Sequence, residues 1–270
     1  MSKRRLRLKE IHEYEVELLK EFVSVCEKNN LRYYLAGGTL LGAIRHKGFI
    51  PWDDDIDILM PRPDYNKFLS LNHKEIFSKN ILVASDMLGN LNHPFCKIFD
   101  SNLTIEKEYA DDETERHLWI DILPLDGLPD DKEEIKSMFK KSLLARRILK
   151  LQKAKLGHGT SKAKIALKYV AKPVLRLIGV KRVVKYITDL GLKYDFDESR
   201  LIGGVVMGYG PQETMVKEDY LEVEKVEFEG LKLNAPKCWD FYLTSLYKNY
   251  MELPPKEQQQ AHYMSVWIEE

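Results

Sequence analysis

The chain has 270 residues, 44% of them hydrophobic and 31% charged, and its 42 Lys or Arg balance 42 Asp or Glu. That length can bury a proper core as one large domain or one domain with an insertion. No apolar run reaches the ~18 residues of a membrane-spanning helix, the basic start Met1–Glu10 lacks a signal peptide's apolar stretch, and Cys26, Cys96 and Cys238 form no CxxC pair; membrane-spanning, secreted disulfide-framework and cysteine-zinc proteins are set aside, and a reducing cytosol is the expected compartment.

Leu8, Ile11, Leu18, Leu19, Phe22 and Cys26 recur at helical spacing and predict an amphipathic helix from about Leu6 to Asn29. Leu31–Ala36 reads as a strand broken by Gly37-Gly38. Thr39 can cap a short helix over Leu40–His46, which Gly48 ends. Pro51-Trp52 lead into a second strand, Asp53–Met60, closed by Pro61 and Pro63. Pro94–Glu108 suggests a hairpin turning at Asp100-Ser-Asn102. Leu118–Leu123 is a further strand ending in the turn Pro124–Gly127.

Next comes a basic segment, helical in pattern. Between Lys136 and Lys185 there are 16 Lys or Arg and no acid, which leaves 26 basic against 42 acidic residues elsewhere. Lys164, Lys168, Lys172 and Arg176 repeat every fourth residue, with Leu167, Val170, Val174 and Leu177 elsewhere on the wheel. Such a segment implies an anionic partner for itself alone. The Gly-rich stretch Gly203–Gly210 lacks the G-x-G-x-x-G order after a strand, so no dinucleotide site is expected there. A hairpin over Val223–Asn234, turning at Glu229-Gly230, and a last helix from Pro236 to Tyr250 complete the chain.

Chemistry concentrates between Gly37 and Asp57. Side chains alternate along a strand, so Asp53, Asp55 and Asp57 would share one face while Ile56 and Ile58 point to a core. Carboxylates at that pitch repel unless a cation sits among them, and hard oxygens suit Mg²⁺. Asp121, inside the apolar strand Leu118–Leu123, is a third carboxylate that can complete a site for one or two ions or take the proton of an attacking hydroxyl. Asp111-Asp-Glu113 and Asp130-Asp131 read as solvated loops or helix caps. Gly37-Gly38 lies between strand and helix, where free backbone N–H groups favour phosphate. Arg45, His46, Lys47 and Lys97 are candidate cations for donor phosphates. Tyr33, Tyr34, Trp239, Tyr242 and Tyr247 read as core, with a pocket that takes a cation or a planar ring by cation–π or stacking contacts as the alternative.

Gly37-Gly38 followed by Asp55-x-Asp57 resembles the signature of polymerase-β-like nucleotidyltransferases. The longer string through Arg45, Gly48-Phe-Ile-Pro-Trp52 and Asp57 resembles the LicD family, which includes the fukutin-related enzymes. The likeness continues at Lys97, Asp100, Thr104, Trp119–Gly127, Phe228–Gly230, Pro236 and Tyr247–Pro255. It lacks the cysteine cluster of the animal relatives, so the bacterial branch is the better match. The resemblance implies an α+β fold with a nucleotidyltransferase-type mixed sheet flanked by helices and carrying a basic helical insertion. Residues 1–130 would form the catalytic core, 131–200 the insertion, and 201–270 the part completing the catalytic domain.

Asp55, Asp57 and Asp121 would then hold one or two Mg²⁺ and do the catalysis. Gly37, Gly38, Thr39, Arg45 and Lys97 would receive the CDP-linked donor. The implied reaction moves a phospho-headgroup, phosphocholine from CDP-choline foremost, to a sugar hydroxyl of a cell-surface glycan or teichoic acid precursor, releasing CMP. A nucleotidyltransferase leaving NMP on its acceptor and a catalytically dead membrane-surface adaptor are the alternatives; the Gly-Gly turn argues against an Asp-x-Asp glycosyltransferase. Partners are the donor, a glycan or lipid-linked glycan acceptor and an anionic membrane surface met by residues 136–185, without nucleic acid. The expected location is cytoplasmic, peripheral at the inner face of the membrane.

Overall fold

The computed structural model describes residues 3–107, 110, 112–157, 162–259 and 264–269. A mixed sheet of nine strands forms its centre, in the order β1 (Lys3–Arg5), β11 (Met264–Glu269), β5 (Cys96–Lys107), β6 (His117–Leu128), β3 (Asp57–Pro61) and β2 (Tyr34–Leu35). Off this path, β4 (Ile81–Ala84) pairs with β5, while β7 (Leu201–Gly203) pairs with β6 and with β8 (Met215–Val216). β3 and β6 run parallel; the other pairings in the sheet are antiparallel. This is the α+β, nucleotidyltransferase-like class the resemblance implies. The C-terminal strand β11 lies between β1 and β5, so both ends of the chain enter one sheet.

α1 (Leu8–Lys28) buries Ile11, Leu18, Leu19, Phe22 and Cys26, the stripe its spacing predicts. Leu18, Leu19 and Phe22 join Ile58, Ile98, Ile120 and Ile122 in the main core. The hairpin of β9 (Val223–Phe228) and β10 (Leu231–Pro236) turns through the left-handed pair Glu229 and Gly230. Its tip holds the loop after α2 (Gly37–His46): Glu229 N–H donates to the Lys47 carbonyl at 2.9 Å, and Phe49 N–H to Glu229 Oε1 at 3.1 Å. Two short helices, α3 (Arg62–Leu69) and α4 (His73–Ile76), link β3 to β4. The basic segment becomes α5 (Lys132–Lys153), α6 (Lys162–Ile178) and α7 (Val180–Gly191), with α5 and α7 burying Ala145, Leu149, Val183 and Ile187 against Phe95. α8 (Lys217–Leu221) precedes β9, and α9 (Trp239–Tyr247) follows β10.

Several elements differ from the expectations. Asp53–Ile56 lies before the strand, because β3 begins only at Asp57, so Asp53 and Asp55 are not strand neighbours of Asp57. Pro94–Glu108 is no hairpin; β5 runs through, and the register shifts between Asp100 and Thr104. Asp100 Oδ1 accepts from Asn102 N–H at 2.9 Å and from Asn80 Nδ2 at 3.0 Å, so the polar trio makes a bulge within a strand. β6 likewise continues through Pro124–Gly127, because Asp126 and Gly127 pair with β7. Pro236 ends β10 opposite Val223, and the last helix starts at Trp239. Thr39 lies in the first turn of α2, whose cap is Ala36. Cys26 and Cys96 are buried, Cys238 is partly so, and all three are free thiols.

Candidate active site

The parallel pairing of β3 and β6 sets Asp57 beside Asp121, and the antiparallel pairing of β6 and β5 sets Asp121 beside Lys97. An acid, an acid and a base therefore line up across three adjacent strands. The register is fixed at the entry to β3. Asp57 N–H donates to Thr39 Oγ1 at 2.8 Å, and Asp121 N–H to the Ile56 carbonyl at 2.8 Å. Lys97 is 3% exposed, and its ammonium donates to Asp121 Oδ1 at 2.6 Å, lies 3.3 Å from Glu115 Oε1 and sits 4.0 Å from the Trp119 ring centroid.

Asp53, Asp54 and Asp55 occupy the loop leading into β3. α1 holds that loop: His12 Nε2–H donates to the Asp53 carbonyl at 2.7 Å, and its ring stacks on Phe49 at 3.8 Å. The other wall is the start of α2. Gly37 has φ 47°, and a β-carbon there would meet Asp57 Oδ2 at 3.2 Å and the Tyr247 hydroxyl at 3.7 Å. At Gly38 the same atom would lie 2.7 Å from Asp53 Oδ2. Two glycines thus let a helix N-terminus approach the acid cluster without a side chain between them.

The acids repel one another. Desolvation, then Asp55, Asp121 and Asp53, push the Asp57 carboxyl well above its ordinary range, and Lys97 only partly opposes this. Glu15, on the buried face of α1, is raised for the same reasons: burial first, then Asp55, Asp54, Asp53 and Asp121. Both its oxygens lack a hydrogen-bond partner. Across the site, burial lifts Glu213 to about 7, and burial with Asp57 nearby lifts the Tyr209 hydroxyl. Hard oxygens crowded at this density with one ammonium among them fit a divalent cation of the Mg²⁺ kind.

A second set of ligand-type side chains lies behind Lys97. Among the described residues, the ligand atoms of His93, Asp112 and Glu115 all lie within 4.8 Å of one another. Three ammoniums already serve the trio, Lys97 at 3.3 Å and Lys107 at 2.5 Å from Glu115, and Lys153 at 2.6 Å from Asp112. Carboxylates so engaged make a charge network rather than a cation site. Asp112, its side chain 2% exposed, is therefore no solvated loop acid, whereas Asp131 caps α5 by accepting from Glu134 N–H at 2.8 Å. Asp111 lies outside the described residues.

The remaining sequence candidates disperse. Arg45 donates to the Tyr250 carbonyl at 2.7 Å and the Glu252 carbonyl at 3.3 Å, tying α2 to the segment after α9. His46 ends α2 and Lys47 is its left-handed cap. Tyr33, Tyr34 and Tyr242 are buried in the main core; Trp239 and Tyr247 pack against it partly exposed. Residue patterns did not single out Glu15, Tyr209, Glu213 or Glu115. Glu15 alone carried a sequence signal, an acid four residues after Ile11 and four before Leu19 on an otherwise apolar stripe.

Residues 30–147 match the family model described as LicD/FKTN/FKRP, nucleotidyltransferase domain. Over 265 residues, 97% of each chain, the protein is 32% identical to the lipopolysaccharide cholinephosphotransferase LicD of Haemophilus influenzae. A shorter likeness, 50% over 42 residues, joins it to the human ribitol 5-phosphate transferase FKRP, covering 16% of this chain and 8% of that one.

Proposed function

The chain belongs to the LicD family and is a phosphotransferase, and on that premise we propose that it moves phosphocholine from CDP-choline to a sugar hydroxyl of a cell-surface glycan, releasing CMP. The observation that carries the reading is the row Asp57, Asp121 and Lys97 across β3, β6 and β5, facing the Gly37-Gly38 start of α2. Asp57 and Asp121, with Asp55, would hold Mg²⁺, which when bound would neutralise the donor diphosphate.

Asp121 accepts the proton of the attacking hydroxyl, and Lys97, donating to Asp121 Oδ1 at 2.6 Å, orients it. The new bond joins the acceptor oxygen to the headgroup phosphorus, the diphosphate P–O bond breaks, and CMP takes the electron pair. The first turn of α2 has no side-chain cap and no acid, so its positive end suits the donor phosphates. Gly38 and Thr39 are the nearest residues for that contact. Arg45 and Lys97 would act on those phosphates by charge at a distance, since both are engaged with protein groups. Tyr209 and Tyr247, whose rings meet edge-on at 6.3 Å beside Asp57, offer faces to a quaternary ammonium.

Incubation with CDP-choline, Mg²⁺ and lipopolysaccharide or teichoic acid oligosaccharides tests the reading by mass spectrometry. The acceptor should gain phosphocholine with one CMP released, and Asp57→Asn should lose transfer while keeping its fold. An acceptor carrying CMP would establish the nucleotidyltransferase alternative instead.

We further propose that the basic segment meets an anionic membrane where such acceptors are assembled. Among the described residues no helix is long and apolar enough to cross a membrane. The corner between α6 and α7 instead exposes Val174, Leu177 and Ile178, Leu177 by 82%, next to exposed Lys181 and Arg182. Apolar tips flanked by cations are what a surface-bound helix pair presents.

A further inference from the structure

Glu15 has no role in the chemistry above, yet it occupies a costly place. It lies on the apolar stripe of α1 with 0% exposure, and neither carboxylate oxygen has a hydrogen-bond partner. Burying a carboxylate without partners is strongly unfavourable, and a core position of this kind ordinarily holds Leu or Met. A methionine or leucine there would continue the stripe of Ile11, Leu19 and Phe22.

The surroundings say what the acid faces. His12, one helical turn before Glu15 on α1, donates to the Asp53 carbonyl at 2.7 Å and stacks on Phe49. That contact docks this face of α1 against the loop Asp53–Asp55. After burial, Asp55, Asp54, Asp53 and Asp121 are the groups that most raise the Glu15 carboxyl. A buried acid in such company either keeps its proton or is balanced by a cation, and a divalent ion among the neighbouring acids would supply that balance.

We propose that Glu15 is a further carboxylate of the divalent-cation site, facing the Asp53–Asp55 loop from α1 and raising the site's affinity for the ion. The inference rests on the cation site proposed above. It extends the site from the sheet to the first helix. The His12 contact fixes the loop, and Glu15 supplies negative charge behind it.

Mn²⁺ serves as the probe, with binding followed by electron paramagnetic resonance and calorimetry on the full chain, without substrate. Glu15→Gln keeps the shape and removes the charge; it should weaken Mn²⁺ binding by about tenfold or more, the range for groups supporting metal ligands. Its metal-free melting temperature should equal or exceed that of the wild type, since an unpaired buried acid is gone. A purely structural side chain would give the reverse, a lower melting temperature with unchanged affinity. Glu15→Met, which suits the apolar stripe, repeats the test should the glutamine variant not fold, and failure of both to fold would overturn the proposal. Wild type that binds Mn²⁺ with Glu15→Gln equally tight would also overturn it, leaving the site itself standing. Wild type that binds no Mn²⁺ would remove the cation site, and this inference with it.

Discussion

Replacing Lys97 with methionine isolates the balance of charge on which the site depends. Methionine fills the volume of the lysine stem but brings no ammonium. The two carboxylates that Lys97 serves are affected unequally. Glu115 keeps His93 at 2.7 Å and Lys107 at 2.5 Å. Asp121 has Lys97 as its ion pair, and its side chain is only 14% exposed. The cost should therefore fall on Asp121, at the lower end of the range for breaking a buried pair, about 3 kcal/mol. For a chain of this size that lowers the melting temperature by about 6–12 °C. Adding Asp121→Asn to Lys97→Met should restore more than half of the loss, because the stranded charge is removed, and a double-mutant cycle would read a coupling of about 2 kcal/mol. Mg²⁺ should stabilise the single variant more than the wild type, since the freed Asp121 gains a counter-charge. Thermal melts of the four proteins with and without Mg²⁺ make the test. A Lys97→Met protein melting within 2 °C of the wild type by this ~6–12 °C reckoning, or a double variant no better than the single, would refute the reasoning.

Two further outcomes follow from other charges. Glu213 is raised from its ordinary 4.5 to about 7 by burial, so the folded state holds its proton more tightly than the unfolded one. Its contribution is complete below about pH 4.5 and is lost as pH rises through about 7, a difference of about 3 kcal/mol. Glu213→Gln should flatten the fall in melting temperature between pH 5 and pH 8, and an unchanged slope would show that another group titrates. At the membrane, sedimentation with anionic vesicles should weaken with salt and fall by about a thousandfold, from about 1 kcal/mol for each of four cations, when Arg147, Lys150, Lys181 and Arg182 become Glu. Equal failure of the wild type on anionic and neutral vesicles would end the membrane proposal.

What the sequence disclosed and what it hid follow one physical line. Asp57 and Asp121 stand out because each interrupts an apolar strand, and a local pattern is enough to see that. The extent of β3 is not local. Asp53–Ile56 alternates like a strand, but the ladder with β6 begins at Asp57 and that with β2 at Ile58, Ile56 lending only its carbonyl to Asp121 N–H. Asp100-Ser-Asn102 has turn chemistry, and the side chains do make turn-like bonds, yet pairing on both sides keeps β5 continuous. Glu15 was visible only as a gap in an apolar stripe, and a gap does not say what it faces. The network of His93, Lys97, Lys107, Asp112, Glu115 and Lys153 joins residues up to sixty apart in the chain, and no spacing rule connects them.

The same network changes how the basic segment is to be weighed. A count of 16 cations against no acid between Lys136 and Lys185 treats every charge as if it faced outward. Lys153 instead reaches Asp112 from α5, and Lys155 donates to the Lys107 carbonyl at 2.7 Å. Lys172, one of four at the regular spacing, is buried and donates to the Ala154 carbonyl at 2.5 Å, so it does not belong to a solvent-facing row of that repeat. The side chains of Lys164 and Arg176 lie outside the described residues. Arg146 donates to the Met207 carbonyl at 2.7 Å and to that of Gly208, in the glycine-rich stretch beside Glu213. Part of the segment's charge therefore fastens the helices to the sheet, running through Lys153, Asp112, His93, Glu115 and Lys97 to Asp121. The surface field rests on the remainder, among which Lys140, Lys141, Arg147, Lys150, Lys181 and Arg182 are exposed. Reversing these should change membrane binding with little change in stability, whereas reversing Lys153 or Lys172 should unfold the link between α5 and the site. That contrast separates a cation that recognises a surface from one that holds the fold.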